Sequence, residues 1–215
     1  MPAAANSTDP GGLARSVVFA VLGGVASGKS TVARLLAGNQ GVILSADAYA
    51  HEVLEAGDTR AWLVERFGPQ VLGADGRVDR PWLAKLVFGQ PELRKALEDW
   101  IHPRVRARIW SDLAGARAQA VPRIVLDVPL LMESDALQDL RQQIDHLVFV
   151  DVPLEERERR AGAQRGWEPG EVARREAAQM PLLEKRKAAS WVLDASGTLE
   201  QLTLRVQDLL QACGL

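Results

Sequence analysis

The stretch Gly23-Gly24-Val25-Ala26-Ser27-Gly28-Lys29-Ser30 constrains this chain more than any other, because it satisfies G-x-x-x-x-G-K-[ST] without departure. The pattern calls for a strand that ends in a glycine-rich turn, and for a helix that starts where the turn closes. Both flanks comply. Val17–Leu22 is a continuous apolar run suited to a strand buried on both faces, and Thr31–Ala37 has helical spacing with Gly38 placed to cap it. Glycines let the backbone curl until successive N–H groups point inward, and the following helix adds its free N–H groups and positive dipole end. Residues Gly24 to Thr31 thus form a cradle for the phosphates of a nucleoside triphosphate. In such a loop Lys29 reaches the β- and γ-phosphates, and the Ser30 hydroxyl ligates Mg²⁺.

Four more short apolar runs follow: Val42–Leu44, Ile124–Val128, Leu147–Val150 and Trp191–Leu193. Helical patterns separate them, which predicts βαβ units and an α/β fold on a five-stranded parallel sheet. The interval from Leu44 to Ile124 is too long for a single crossover, so it holds an insertion. That insertion reads as helical, since Leu93, Leu97, Trp100, Ile101, Val105 and Ile109 recur at helix spacing, with Pro103 expected to kink or divide the helix. Turn signals at Gly68-Pro69 and Gly73 to Gly76 precede it. The segment Leu154 to Lys187 is highly charged and broken by Gly162, Gly166, Pro169 and Gly170. It suits either a mobile cover over a site or a solvated helical hairpin.

The whole chain sets the outer limits. Its 215 residues suit one compact domain with a small insertion, and 47% hydrophobic and 25% charged residues are ordinary for a soluble globular protein. A net charge of −2 supplies no basic field to draw nucleic acid or an anionic membrane, so any anion site is built locally. The one cysteine, Cys213, excludes an internal disulfide and a cysteine-based zinc cluster. Residues 1–14 read as a disordered leader without the features of a signal or transit peptide, and a cytoplasmic location is expected.

Many proteins share a phosphate loop. A regulatory GTPase reads guanine with Asn-Lys-x-Asp, but the two asparagines, Asn6 and Asn39, are not followed by lysine. Asp194-Ala-Ser-Gly197 fits D-x-x-G only near the C-terminus, far from where a γ-phosphate sensor follows the loop. A small-molecule kinase needs a carboxylate near the acceptor hydroxyl, and cations for the charge that spreads over the transferred group. Asp47 lies just past the second strand, at the edge where α/β sheets place ligands, although it also suits a helix N-cap. Asp127 ends the third strand as a Walker-B-like carboxylate. Arg157, Arg159, Arg160 and Arg165 lie in the charged segment, where surface arginines are ordinarily just solvated.

Beyond the loop, the chain carries Ala46-Asp47, Ala50-His51-Glu52-Val53, Arg66-Phe67-Gly68 and Asp75-Gly76-Arg77-Val78-Asp79-Arg80. It goes on with Leu97-Glu98, Ile101-His102-Pro103, Arg106 and Val128-Pro129-Leu130-Leu131-Met132-Glu133. It closes with Arg165-Gly166-Trp167, Gln179-Met180-Pro181, Glu184-Lys185 and Val192-Leu193-Asp194. In this order and spacing, over nearly the whole chain, the sequence resembles the dephospho-CoA kinase family. The resemblance implies a three-layer phosphate-loop kinase whose nucleotide-binding core spans residues 15–55, 116–153 and 188–215. A helical acceptor-binding insertion over 56–115 and a helical lid over 154–187 complete it. It implies ATP as co-substrate with Mg²⁺ held by Ser30 and Asp127, and dephospho-CoA as the acceptor, phosphorylated on its ribose 3′-hydroxyl. Lys29, Asp47, Arg160 and Arg165 are then the catalytic residues, while Asp47, His102, Arg106, Pro129 and Leu130 face the acceptor. No nucleic-acid or membrane partner is expected, and the chain is expected to be a monomer or weak homo-oligomer. The chain departs from the family pattern at Ser45, where an aspartate is usual, and at Ala195, where an asparagine is usual. The alternatives are another phosphate-loop kinase of nucleosides or small molecules, or a non-catalytic nucleotide-dependent interaction module.

Overall fold

Residues 15–177 and 179–215 are described by a computed structural model; the expected leader over residues 1–14 lies outside them. Two compact units result, one of residues up to Ile43 with Ala114–Leu215, the other of Leu44–Leu113. In chain order the elements begin with β1 (Val17–Gly23), α1 (Lys29–Ala37), β2 (Val42–Ser45), α2 (Ala46–Glu55), α3 (Gly57–Phe67), α4 (Arg80–Val87) and α5 (Pro91–Ala118). They continue with β3 (Arg123–Asp127), α6 (Gln138–Arg141), β4 (His146–Asp151), α7 (Leu154–Arg165), α8 (Glu171–Glu176), α9 (Leu182–Ala188), β5 (Trp191–Asp194) and α10 (Leu199–Ala212). Each of the five apolar runs is a strand. The sheet order is β2-β3-β1-β4-β5.

Strand β1 is central, paired in parallel with β3 on one side and β4 on the other, and β4 pairs in parallel with β5. Its residues Val18, Phe19, Ala20, Val21 and Leu22 are buried. That explains the unbroken apolar run, since a strand covered on both faces has no polar face to alternate with. Phe19 and Val21 pack with Val32, Ala33 and Leu36 of α1 and with Leu202, Val206, Leu209 and Leu210 of α10. The α10 residues recur at i, i+4, i+7 and i+8, the stripe a helix presents to a core. A capping box starts α10: the Thr198 side chain accepts from the Gln201 backbone N–H, and the Gln201 side chain accepts from the Thr198 N–H.

The second unit has its own core of Leu63, Val71, Val78 and Leu83, against which Trp62, Trp82 and Leu97 pack. Gly68 and the Gly73–Gly76 turn bend the chain as their composition predicts, the latter closing a Leu72–Val78 bridge. Of the two expectations for Pro103, division does not occur: α5 is one helix of 28 residues with the proline inside it. A proline removes one N–H donor and crowds one carbonyl, at a cost of about 3 kcal/mol. Burial of Ile101, Val105, Ile109 and Leu113 along one stripe outweighs that cost, since each fully buried aliphatic side chain contributes roughly 1.5–3 kcal/mol. Among the described residues, no helix is long and apolar enough to cross a membrane.

Leu36 is fully buried between β1 and α10. Leu36→Ala should lower unfolding free energy by about 3 kcal/mol through lost transfer energy and a residual cavity. Thr198→Ala should remove only about 1 kcal/mol, the value of one N-cap. Denaturant titration followed by circular dichroism checks both, and equal losses would contradict the assigned packing.

Candidate active site

The loop between β1 and α1 is shaped by its backbone. Gly28 is the N-cap of α1 at φ 89°, a left-handed conformation that glycine adopts freely, and no side chain caps the helix there. Its first N–H groups therefore remain for an anion to satisfy. Ala26 is also left-handed, at φ 60°, and alternating hand in successive residues turns amides toward one concavity.

Lys29 stands at the first turn of α1, and its ammonium donates to the carbonyls of Gly24 (2.7 Å) and Gly23 (3.2 Å). Burial pushes its pKa down to about 8 from an ordinary 10.5. Asp127 opposes that fall, Lys185 reinforces it, and Glu176 and Arg157 act in opposite senses with smaller effect. One residue on, the Ser30 hydroxyl donates to Oδ2 of Asp127 at 3.2 Å. The two residues expected to hold a metal are thus neighbours, one opening α1 and the other closing β3, because β1 and β3 are adjacent and parallel. Pro129 and Leu130 follow Asp127 directly, and Leu130 is 45% exposed.

Arg160, on α7, donates to the Ser27 carbonyl (3.4 Å) and the Ala195 carbonyl (2.9 Å), and pairs with Glu156. It ties the phosphate loop to the residue that follows β5. Hydrogen bonds from Arg159 and Arg160 hold the Glu156 carboxyl down to about 2. Arg165 ends α7 and lies elsewhere: its guanidinium sits over the Trp167 ring, 4.7 Å from the centroid, and Arg175 sits over the same ring at 4.1 Å.

Two buried charge pairs escape a sequence reading. Lys185, 1% exposed, donates to Glu133 (2.7 Å) and to Gln179 (3.0 Å), while Glu133 also accepts the Met180 N–H at 3.2 Å. This explains why Gln179-Met180-Pro181 and Lys185 go together: they fold a turn onto Glu133. Arg157, 4% exposed, pairs with Glu176, and its Nε donates to the Val152 carbonyl at 3.0 Å. The Glu176 carboxylate accepts the Val25 N–H of the loop at 2.6 Å. A Cβ on Gly24 would stand 2.5 Å from that carboxylate and 2.6 Å from the Arg157 guanidinium, so the close approach requires glycine. A cavity of about 270 Å³ opens beside Gly24, lined also by Val150, Asp151, Arg157, Leu182 and Arg186.

The remaining candidates belong to the second unit. Ser45 is the N-cap of α2, its hydroxyl accepting the Ala48 N–H at 3.4 Å. The capping role open to Asp47 therefore falls two residues earlier, and Asp47 lies exposed in the first turn of α2. His102 is exposed on α5, and Arg106, one turn later, is half-buried. In the same unit Tyr49 donates to Asp112 at 2.7 Å, and burial with that bond raises its pKa.

Comparison with known proteins finds relatives over nearly the whole chain. A family model described as dephospho-CoA kinase matches residues 17–201. A dephospho-CoA kinase of Thermus thermophilus is 40% identical over 194 residues, covering 90% of each chain. One from Symbiobacterium thermophilum is 38% identical over 199 residues, which is 92% of this chain and 82% of that relative. The crystal structure of a Thermus thermophilus protein superposes with a TM-score of 0.74 at 39% identity, over 92% of this chain and 97% of that one.

An anion in the loop stabilises protonated Lys29, so affinity should be full below pH 8 and fall as pH rises through about 8. Titration with inorganic sulfate, whose charge is constant between pH 7 and 9.5, reads this directly. Lys29→Met should bind weakly with a flat profile, and an equally steep profile in that variant would assign the titration to another group.

Proposed function

The chain belongs to the dephospho-CoA kinase family, and we propose that it transfers the γ-phosphoryl group of ATP to the ribose 3′-hydroxyl of dephospho-CoA, giving CoA and ADP. The observation that carries this reading is the Ser30–Asp127 contact beside Lys29, at the end of a phosphate loop with open helix N–H groups. A loop of this kind holds polyphosphate by its backbone. What makes it a kinase site is positive charge and a metal-binding oxygen pair at the outer phosphates.

In this reading Gly24 to Thr31 cradle the triphosphate, and Lys29 exchanges the carbonyls of Gly23 and Gly24 for phosphate oxygens. Ser30 and Asp127 offer a hydroxyl and a carboxylate, hard oxygen donors of the type Mg²⁺ takes. Magnesium uses only one or two protein groups when phosphates and water complete its shell. When bound, the ion neutralises charge on the outer phosphates. Asp47 orients the acceptor hydroxyl and accepts its proton, a positioning task more than a basic one, since phosphoryl transfer is loose. His102, Arg106, Pro129 and Leu130 contact the acceptor. Residues 56–115 bind it, and 154–187 act as a lid that brings Arg160 and Arg165 to the γ-phosphate and excludes water. Arg160 already reaches a loop carbonyl, which supports its share of that role. A cytoplasmic location completes the reading.

Incubation with ATP, Mg²⁺ and dephospho-CoA should yield CoA, identified by mass and by a phosphate at the ribose 3′ position. Phosphorylation of a different nucleoside or small alcohol instead would move the chain to another activity. Lys29→Ala should lower kcat by about two orders of magnitude or more, because charge on the transferred group is lost. Asp47→Asn should slow turnover with ATP affinity retained; collapse of that affinity would make Asp47 a metal ligand instead. Arg165→Ala should reduce kcat more than it raises KM for either substrate.

A further inference from the structure

Glu176 has no part in the mechanism above, yet it makes one of the shortest polar contacts to the phosphate loop. Its carboxylate accepts the Val25 N–H at 2.6 Å and pairs with the guanidinium of Arg157. Arg157 in turn reaches the Val25 carbonyl at 3.4 Å and is anchored by the Val152 carbonyl. Both backbone polar groups of Val25 are therefore held by one ion pair. The pair lies on Gly24, where a Cβ would collide with each partner. Lys29 feels both members of the pair, Glu176 raising and Arg157 lowering its proton affinity.

A carboxylate on a loop amide does what a phosphate oxygen does: it supplies negative charge and accepts an N–H that has no other partner. Two anions cannot share that position. A triphosphate entering the loop meets Glu176 as a competitor for a donor and as a like charge in a largely buried setting. Glu176 belongs to α8, within a segment that also reaches the loop through Arg157 and Arg160. Once Glu176 withdraws, Arg157 is left as a buried cation beside the loop, without its carboxylate and facing the incoming anion.

We propose that Glu176 is an internal stand-in for a phosphate oxygen, held on the Val25 N–H until polyphosphate displaces it. Triphosphate entry and release of α8 from the loop are then one event, and the Arg157 cation passes from Glu176 to the phosphates. The proposal rests on the loop being a triphosphate site, as the reading above has it.

The test measures ATP affinity by calorimetry without acceptor, so that binding is read apart from turnover. Glu176→Gln removes the competing charge and should tighten ATP binding roughly tenfold, the equivalent of about 1.4 kcal/mol and the range of a charge-assisted hydrogen bond. A residue that merely supports the loop would weaken binding on substitution. Unchanged or weaker affinity in folded Glu176→Gln overturns the proposal. If that variant fails to fold because Arg157 is left unpaired, Arg157→Gln/Glu176→Leu decides, compared with Arg157→Gln alone. Tighter binding in the double variant supports the stand-in, and equal or weaker binding overturns it. CoA formation by the unsubstituted chain is assayed in parallel. Product without an affinity gain in the variants removes the stand-in and leaves the kinase reading. An affinity gain without product from dephospho-CoA removes the acceptor assignment and leaves the stand-in.

Discussion

The structure of the first unit depends on where a buried strand stops. Strand β1 is covered on both faces and paired on both edges, so its C-terminal end is among the most constrained points in the unit. The chain leaves it through left-handed Ala26 and Gly28 straight into α1, and the helix N-terminus is therefore fixed relative to the sheet. Parallel neighbours bring their own C-terminal ends to the same edge: Asp127 from β3, Asp151 from β4 and Asp194-Ala195 from β5. Convergence of strand ends on one set of open N–H groups makes this edge a site, a general consequence of parallel sheets.

Charge is then placed against that edge with little solvent to screen it. Lys29 feels the charges of Lys185 and Arg157, and Asp127, Glu133 and Glu176 balance these cations. Buried ion pairs contribute little net stability, because desolvation offsets their attraction, but losing one partner is costly. What these pairs supply is placement. Glu133–Lys185 holds the turn at Gln179 to Pro181, and Arg157–Glu176 holds α8 to the loop. The charged segment, which composition reads as either a mobile cover or a solvated helical hairpin, is thus pinned by the few of its charges that are not solvated.

Much of this was legible in the order of residues. The phosphate loop, the strand runs and the turn glycines follow from local rules of backbone freedom and burial, and the structure keeps them nearly residue for residue. Lys29 and Ser30 could be proposed as site residues because they belong to the motif itself. Asp127 could be proposed because it ends an apolar run, and the structure sets it beside Ser30. Local rules failed where two local effects compete. Pro103 reads as a kink or a break, and the buried stripe on either side of it excludes the break. Asp47 reads as a site residue or as a helix cap, and the Ser45 hydroxyl bond to Ala48 gives the cap to Ser45.

By itself the sequence determined that a triphosphate cradle follows the first strand of a parallel α/β sheet, because a glycine pattern and an unbroken apolar run act through neighbouring residues alone. It also determined, through motifs spread along the chain, which kinase family these residues belong to. Only the tertiary structure decided which charges are buried and what they touch. Arg157 and Glu176 look no different from the exposed arginines and glutamates around them. Glu176 meets the Val25 N–H from 151 positions away. No periodicity marks such a contact, because it arises from the packing of α7 and α8 against the loop and not from the residues beside it.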